Sequence, residues 1–387
     1  MKNSKYKIAY LSFFDPNDKK SNSGIQYYMQ TALHDNGNLV DLYWASGVLV
    51  RCGLKILHRI YSLSHNNAKE FYSWTPLYKF LGLYFSIRLF FSFKKYDFIF
   101  TSRGSHLIPY LKSKLPLIYT SDITFDLMVK YYNGFDNVSA KMKEEGDFKE
   151  HSTIQRSSLC IYPSKWAADS AIDYYNAEPN RVVVIPSGAN FDINDIPASH
   201  IISANRSSKS ICNILFVGRD WSVKGGDIAF NTVKILNEQG IRSTLTVIGC
   251  KPPFNDYPSW FKVIPNLDKN ISEQNQVLSN YFVNSHIFLL PTRHEAFGLV
   301  FAEACAYGLP VMGTDTGGVP TIVVNDHNGY LFDLTDEAVV YADRIANIWK
   351  DETTYARLSH NARMHYEKVL NWKAWGERFQ NEIQRVI

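Results

Sequence analysis

The sequence has 387 residues, which is too long for one ordinary hydrophobic core and suits two domains of roughly two hundred residues or fewer. With 45% apolar and 20% charged residues the chain is globular rather than disordered, and a net charge of +4 is too small to indicate nucleic-acid binding. The five cysteines are far apart and form no Cys-x-x-Cys pair, so they fit reduced, cytosolic thiols and argue against a disulfide framework or a zinc site.

Short apolar runs alternate with helical patterns along the whole chain. The first run, Ile8 to Phe14, stops at Asp15-Pro16 without a small-residue cleavage pattern, so we expect a first strand rather than a secretory leader. The predicted strands are Lys7–Phe13, Phe98–Ser102, Leu117–Thr120, Leu159–Tyr162, Val182–Ile185, Ile214–Val217, Thr244–Ile248, Phe261–Val263, Ile287–Leu290, Val311–Thr314 and Tyr330–Phe332, with helices between them such as Ile25–His34, Trp166–Tyr175 and Asp227–Glu238. This alternation predicts an α/β protein with parallel sheets covered on both faces, which bind ligands at the C-terminal ends of their strands.

The stretch from Arg51 to Lys95 is basic and aromatic. It contains eight Lys or Arg residues and one acid, Glu70, and its second half interleaves ten aromatic residues. These are Phe71, Tyr72, Trp74, Tyr78, Phe80, Tyr84, Phe85, Phe90, Phe91 and Phe93. The pattern suits a bilayer interface or a lipid-linked acceptor, and it equally suits core helices with snorkelling cations. No segment reaches the roughly 18 uncharged apolar residues that a membrane span needs, so we expect a soluble or peripheral protein.

Two glutamates bracket an apolar helix start in Glu295-Ala-Phe-Gly-Leu-Val-Phe-Ala-Glu303. Glu303 has apolar neighbours all around the predicted helix, and a Glu buried in this way costs several kcal/mol unless it is paired. No Lys or Arg stands three or four places away, so its partner must come from elsewhere in the fold or from a ligand. We expect Glu295 in the loop that enters the helix and Glu303 two turns inside it.

Two cations follow a strand that ends in glycine. Arg219 comes directly after Gly218, and Lys224 precedes the pair Gly225-Gly226. An arginine fork and a mobile lysine charge on a Gly-rich connection suit a diphosphate. Taken alone, an Arg and a Lys five residues apart more often lie on the solvated surface of a protein.

Together, the segment Pro291 to Phe332, the Gly218-Arg219 and Lys224-Gly225 signature and the complete Glu-x7-Glu motif resemble the retaining glycosyltransferases of family 4. The resemblance implies the GT-B fold, in which two Rossmann-like domains face each other across a cleft and the C-terminal helix returns to the N-terminal domain. We place an acceptor-binding domain at residues 1–195, a nucleotide-sugar-binding domain at 196–368 and the returning helix at 369–387. The polar segment Asp195 to Ser210 is the expected linker, and the stripe Trp372, Trp375, Phe379 and Ile383 is the expected packing face of the last helix.

The resemblance also implies roles for individual residues. Arg219 and Lys224 bind the diphosphate, Glu303 accepts hydrogen bonds from the ribose hydroxyls, and Glu295 contacts the transferred sugar. The implied donor-binding residues are Gly24, Gly218, Arg219, Lys224, Pro265, Asn266, Leu267, Glu295, Phe297, Gly298, Leu299 and Glu303. The family usually has two glycines in the N-domain loop, and Ser23 replaces the first of them.

The N-terminal domain departs from the family at one important position. Many relatives carry a His after the strand that corresponds to Leu117–Thr120, whereas this chain has Asp122 as the nearest polar residue. We therefore expect Asp122 to act with Glu295, Arg219 and Lys224 in catalysis. His106, Ser121 and Thr124 are acceptor-side candidates.

The resulting prediction is a retaining hexosyltransferase that moves sugar from a nucleoside diphosphate to a hydroxyl of a glycan or lipid-linked acceptor in bacterial glycan, polysaccharide or glycolipid assembly. No Asp-x-Asp occurs, so we expect no metal and no cofactor, with UDP-sugar favoured as donor and GDP-sugar as the alternative. We expect a cytoplasmic protein, at the inner face of the membrane if residues 51–95 dock there, and no nucleic-acid partner.

Two alternative functions remain, a catalytically silent sugar-nucleotide or glycan-binding subunit and a GT-B sugar-nucleotide epimerase. A glycosidase would explain the paired carboxylates but neither the cations nor the two Rossmann-like halves.

Overall fold

The computed structural model describes residues 6–46, 48–64, 74–92, 95–132, 139–192, 195–206 and 210–387. Within the basic aromatic stretch, Glu70, Phe71, Tyr72 and Phe93 lie outside these ranges. The chain divides into two compact units. Unit 1 comprises Met1–Ile185 and Gly376–Ile387, and unit 2 comprises Pro186–Trp375.

Each unit contains one sheet with helices around it. The strands of unit 1 are β1 (Lys7–Ser12), β2 (Leu39–Trp44), β3 (Phe98–Ser102), β4 (Leu117–Thr120), β5 (Leu159–Tyr162) and β6 (Val182–Val184). Its helices are α1 (Ile25–Asp35), α2 (Val48–Ser64), α3 (Thr75–Phe90), α4 (Phe125–Tyr131), α5 (Ala140–Arg156) and α6 (Lys165–Asp173). The strands of unit 2 are β7 (Cys212–Val217), β8 (Ser243–Ile248), β9 (Phe261–Ile264), β10 (Ile287–Leu290), β11 (Val311–Thr314) and β12 (Gly329–Phe332). Its helices are α7 (Ser199–Asn205), α8 (Gly226–Glu238), α9 (Ser272–Asn284), α10 (Leu299–Ala306), α11 (Ala338–Lys350) and α12 (Glu352–Lys368), and α13 (Trp372–Val386) begins in unit 2 and ends in unit 1.

Both sheets are parallel and have the same kind of strand order. The order is β2-β1-β3-β4-β5-β6 in unit 1 and β12-β11-β10-β7-β8-β9 in unit 2. The direction in which the chain adds strands therefore reverses between β1 and β3 in the first sheet and between β7 and β10 in the second. Ligands of doubly wound sheets bind at such a switch point, outside the carboxyl ends of the strands. The predicted α/β class with two Rossmann-like units is confirmed.

Eleven of the twelve strands coincide with the predicted ones, and five have the predicted bounds. Strands β3, β4, β5, β10 and β11 are buried at every residue, which explains why they are continuous apolar runs. Strand β2 was not predicted. It lies at the edge of its sheet, is mostly half-exposed and carries Asp41 at its centre, so its sequence lacks such a run.

The division between the units falls ten residues before the predicted boundary after residue 195. Ala189, Phe191 and Ile196 are buried in the core of unit 2, so this part of the chain packs with the second unit. The segment predicted as a polar linker contains helix α7 (Ser199–Asn205). It also contains the buried Arg206, whose guanidinium donates hydrogen bonds to the carbonyl oxygens of three residues of unit 2.

The predicted packing face of the last helix is buried. Trp372, Trp375, Phe379 and Ile383 are all buried, and the helix is assigned to unit 1 from Gly376 onward. The Phe379 ring lies 5.6 Å from the ring of Phe100, a residue of the central strand β3. From Gly376 onward the C-terminal helix thus belongs to the first unit.

Helices α2 and α3 of the basic aromatic stretch carry both buried and exposed apolar side chains. Tyr78, Leu81 and Phe85 are buried in the core of unit 1. The same two helices expose large apolar side chains, which are Ile56, Ile60, Leu83, Ile87, Phe90 and, directly after α3, Phe91, with Phe90 80% exposed. In the part of the chain that the structure describes, no helix combines the length and apolar character needed to cross a bilayer.

Helix α5 is fixed to β4 by a buried carboxyl group. The hydroxyl of Tyr119 donates a 2.9 Å hydrogen bond to Oε1 of Glu150, and both residues are almost completely buried. Burial raises the pKa of the Glu150 carboxyl to about 7. The folded protein therefore binds this proton more tightly than the unfolded chain does.

Because the folded pKa of Glu150 is raised, its contribution to stability is fully present below the unfolded value of about 4.5 and is lost as the pH rises through about 7. Relative to Glu150→Gln, the wild type should lose about 1–3 kcal/mol of unfolding free energy between pH 5 and pH 8. Denaturant unfolding at a series of pH values measures this difference. Glu144→Gln, an exposed change on the same helix, should leave the pH profile unchanged, and a wild-type profile parallel to that of Glu150→Gln would contradict the prediction.

Candidate functional site

The two cations of the Gly-rich connection lie at the switch point of the second sheet. Strand β7 ends at Val217, and the amide of Gly218 donates to the carbonyl of Ile248 at the end of β8. Arg219 follows and is exposed, with no hydrogen-bond or ion-pair partner among the described residues. Its guanidinium is thus available to an anion at the carboxyl end of the sheet.

A tight turn carries the chain from Arg219 to helix α8. The carboxylate of Asp220 accepts a 2.7 Å hydrogen bond from the amide of Val223, which closes the turn. Gly225 then has φ = +70°, and a Cβ atom there would lie 1.9 Å from the carbonyl oxygen of Pro291. Only glycine fits this combination of left-handed backbone and close approach, and the approach joins the β7 loop to the β10 loop.

Arg293 joins the same two loops through its side chain. Its guanidinium binds the Asp227 carboxylate in a two-pronged pair with N–O distances of 2.9 and 2.8 Å, and it also donates to the carbonyl of Ser222. These hydrogen bonds lower the pKa of Asp227. The sequence analysis did not identify Arg293. Its only signal was its place two residues before Glu295.

Lys224 and Glu295 form an ion pair. The ammonium lies 2.7 Å from Oε2 of Glu295 and 3.1 Å from the carbonyl oxygen of His294. Both side chains are mostly buried, at 20% and 16% exposure, so the pair is only weakly screened by solvent. One residue predicted to bind the diphosphate and one predicted to contact the sugar therefore touch each other.

Helix α10 begins at the site. Gly298 is its N-cap residue, and the half-exposed Leu299 and Val300 supply its first amides. The first amides of a helix have no partner within the helix and are suited to anionic oxygens. Phe297 is buried in the core, so any contribution of this residue to a ligand would come from its backbone.

The structure supplies a protein partner for Glu303. This residue is 5% exposed, and its Oε1 lies 2.6 Å from the ammonium of Lys269. Lys269 belongs to the connection after β9, the loop that also holds Pro265, Asn266 and Leu267. The sequence analysis left open a partner from elsewhere in the fold, and it did not identify Lys269. Pro265 and Asn266 are exposed beside it.

In unit 1, the loop after β1 adopts a strained conformation at the corresponding switch point. Ser23 has φ = +59° and Gly24, the N-cap of α1, has φ = +83°. A Cβ atom at Gly24 would lie 2.7 Å from the carbonyl oxygen of Lys19. Ser23 thus occupies a left-handed conformation that favours glycine, which fits a position where the family usually has a glycine.

Asp122 and His106 lie after neighbouring strands of unit 1. The Asp122 carboxylate is 3.5 Å from Nε of Arg103, a residue with φ = +56° at the end of β3. The His106 ring packs on Tyr78 at 5.0 Å between centroids. Burial, together with the positive charges of Lys149 and Arg103, lowers the pKa of His106 to about 4, so this imidazole is neutral at physiological pH.

Ser121 and Thr124 have local structural partners. The hydroxyl of Ser121 donates to the carbonyl of Ile123, and Oγ1 of Thr124 accepts from the amide of Leu127 as the N-cap of α4. Thr124 is completely buried and is also hydrogen-bonded to Ser170. Its hydroxyl is therefore used inside unit 1, which corrects the expectation that it faces an acceptor.

Substitution of Gly225 by alanine should disturb the site because of the close approach to Pro291. Gly240→Ala is a matched control, since Gly240 has φ = +81° with no atom within 4 Å of the added Cβ. The control should cost about 1 kcal/mol from backbone strain alone, and Gly225→Ala should cost at least about 2 kcal/mol more. Denaturant unfolding of both variants tests this, and equal losses would show that the two loops separate without cost.

Comparison with known proteins shows which family the second unit resembles. Residues 204–365 match the model of the glycosyl transferases group 1. The D-inositol 3-phosphate glycosyltransferase of Xylanimonas cellulosilytica is 26% identical over 231 residues, which cover 55% of this chain and 54% of that protein. The chain thus spans about half the length of this relative.

Solved structures resemble the complete chain. Sucrose-phosphate synthase from Thermosynechococcus elongatus has a TM-score of 0.69 and 17% identity, covering 98% of this chain and 99% of that one. HepE from Anabaena, solved in complex with UDP and glucose, has a TM-score of 0.64 and 15% identity, again with coverage of 98% and 99%. The chain has the GT-B fold, and its residues 204–365 resemble the glycosyl transferases group 1.

Proposed function

We propose that the protein is a retaining family 4 glycosyltransferase that moves a hexose from a nucleoside diphosphate to a hydroxyl acceptor. The observation that carries this proposal is the ion pair of Lys224 and Glu295 at the switch point of unit 2, on the two connections that also hold Arg219 and lead into α10. A diphosphate leaving group needs fixed cations and amides where its charge develops. This place in the fold supplies both.

The donor contacts follow from the position of each side chain. Arg219 binds the diphosphate through its fork, and Lys224 adds the N–H that Glu295 and His294 do not use. Glu295 contacts hydroxyls of the transferred sugar, and Glu303 accepts from the ribose. The exposed Pro265 and Asn266 face the base. HepE was solved with UDP, which supports UDP-sugar as the favoured donor, with GDP-sugar as the alternative.

Retention of configuration fits the available groups. The bond between the anomeric carbon and the diphosphate oxygen breaks, the acceptor oxygen attacks from the same face, and the acceptor proton passes to the departing diphosphate. This route needs no nucleophile from the protein. The negative charge that develops on the leaving group is stabilised by Arg219, Lys224 and the amides of α10, so we propose transfer without a metal ion. Asp122 is the proposed acceptor-side residue of unit 1.

Removal of one cation should slow transfer. Arg219→Ala and Lys224→Ala should each lower kcat/KM by on the order of 10²–10³, by analogy with other lost transition-state donors. Arg219→Lys should recover only part of the rate, because an ammonium cannot reproduce the two-pronged fork. Arg242→Lys is the matched control, since Arg242 is exposed just before β8, at the opposite edge of the same sheet.

A thermal-shift screen with UDP-, GDP- and ADP-sugars selects the donor for these assays, because a ligand at 100 times its Kd stabilises by about 2.7 kcal/mol. Transfer should survive EDTA, and proton NMR of the product should show the anomeric configuration of the donor. An inverted product, or activity lost in EDTA and restored by Mn²⁺, would overturn the mechanism. Nucleotide binding without release of nucleoside diphosphate would indicate a silent binding subunit.

The exposed faces of α2 and α3 support a peripheral membrane location. Ile56 and Ile60 lie one turn apart beside the exposed Lys55 and Arg59, and Leu83 and Ile87 repeat this spacing on α3 after the exposed Lys79. Apolar side chains beside cations fit the interface of an anionic bilayer. We therefore place the protein at the cytoplasmic face of a membrane, acting on a glycan or lipid-linked acceptor of bacterial glycan or polysaccharide assembly.

The protein should sediment with anionic vesicles at low salt and be released as salt rises. The screening length falls from about 30 Å at 0.01 M to about 8 Å at 0.15 M ionic strength, which weakens attraction by the cations. Phe90→Ser with Phe91→Ser should reduce binding several-fold, because both rings are exposed at the end of α3. Phe148→Ser removes an exposed ring from α5 and should leave binding unchanged. No sedimentation at low salt would contradict the membrane location.

A further inference from the structure

Lys269 is a cation to which neither the sequence motifs nor the comparisons assign a role. Its ammonium lies 2.6 Å from Oε1 of Glu303 and 3.2 Å from the carbonyl oxygen of Asn190. It also lies over the ring of Phe191 at 4.5 Å from the centroid. We propose that Lys269 is a positioning residue that fixes Glu303 for the ribose hydroxyls and so sets the preference for ribonucleotides over 2′-deoxyribonucleotides.

The ammonium is held from the other side by a rigid anchor. Asn190 is completely buried, and its side-chain oxygen accepts a 2.9 Å hydrogen bond from Nε1 of Trp372. The backbone beside it is also fixed, because the amide of Ala189 donates to the carbonyl of Leu370. Lys269 therefore connects Glu303 to a fixed part of unit 2.

This anchoring distinguishes Lys269 from the phosphate-binding cations. Two of its three N–H donors bind Glu303 and Asn190, and the aromatic face of Phe191 covers the ammonium. Arg219, in contrast, is exposed with no polar partner in the described ranges. Lys269 is therefore suited to hold the Glu303 carboxylate in place rather than to bind a diphosphate.

The effect on Glu303 follows from its burial. At 5% exposure an unpaired carboxylate either turns toward solvent or binds a proton, and both remove a charged acceptor from the site. The ammonium engages Oε1 and leaves Oε2 for a ligand hydroxyl. A charged acceptor forms stronger hydrogen bonds to hydroxyl groups than a neutral one does.

The inference rests on the proposed function, in which Glu303 faces the ribose. The test measures Kd by calorimetry for UDP, GDP, ADP and the 2′-deoxy form of each, with wild type and Lys269→Met. Wild type should bind its preferred ribonucleotide on the order of 10-fold more tightly than the deoxy form. In Lys269→Met this ratio should fall to within about threefold of unity through weaker ribonucleotide binding, while deoxynucleotide binding changes little.

Further variants separate positioning from folding. Glu303→Gln should lower the ratio similarly, and the double variant Lys269→Met with Glu303→Gln should lower it no further, because both changes remove one interaction. Lys269→Arg should keep the ratio. Lys269→Gln can still donate to Asn190 and should lower the ratio, which keeps the test decisive if Lys269→Met does not fold. Lys234→Met, on the exposed face of α8, is the matched control.

The outcomes distinguish this inference from the proposed function. A wild-type ratio that survives in Lys269→Met and Lys269→Gln, or equal weakening of both nucleotide forms, overturns the positioning role and leaves the transferase proposal intact. A wild type that binds no nucleoside diphosphate overturns both.

Discussion

The candidate site buries two carboxylates next to the residues proposed to bind a diphosphate. Glu295 and Glu303 flank the start of α10, and each has its own lysine within 2.7 Å. Without Lys224 and Lys269, two buried negative charges would oppose a diphosphate and would cost several kcal/mol each. The lysines remove this repulsion while the carboxylates keep oxygens for hydroxyl groups. Much of the surrounding loop structure serves to bring these lysines from β7 and β9 to one helix.

The parallel sheet explains why the parts meet. Residues from the connections after β7, β9 and β10 are far apart in sequence, but the carboxyl ends of parallel strands share one edge. The switch point lies between β7 and β10, and the close approach of Gly225 to Pro291 joins the loops that follow these two strands. The ion pair of Arg293 with Asp227 also holds these two loops together. The positions of Lys224 and Glu295 therefore follow from backbone packing as well as from their own ion pair.

The sequence predicts the elements better than the contacts. Buried parallel strands such as β10 and β11 are continuous apolar runs, so their bounds can be read directly, whereas the edge strand β2 has no such run. The burial of Glu303 follows from its apolar neighbours. Its partner does not, because Lys269 lies 34 residues away and only the order of strands brings it near. For Thr124, local sequence suggested a ligand contact, while tertiary burial assigns its hydroxyl to a helix cap.

The arrangement of charge, rather than its amount, supports the proposed selectivity for a nucleoside diphosphate sugar. Lys224 pairs with Glu295 and Lys269 with Glu303, so Arg219 leaves these five side chains with a net charge of about +1, and the whole sequence has a net charge of only +4. A strongly cationic pocket would bind any polyanion with similar affinity. Here Arg219 is exposed whereas the two ion pairs are mostly buried, and in the proposed function the carboxylates of these pairs accept hydrogen bonds from hydroxyl groups. A ligand gains from all three only if it carries phosphate between two polyhydroxylated groups, which is the chemical description of a nucleoside diphosphate sugar.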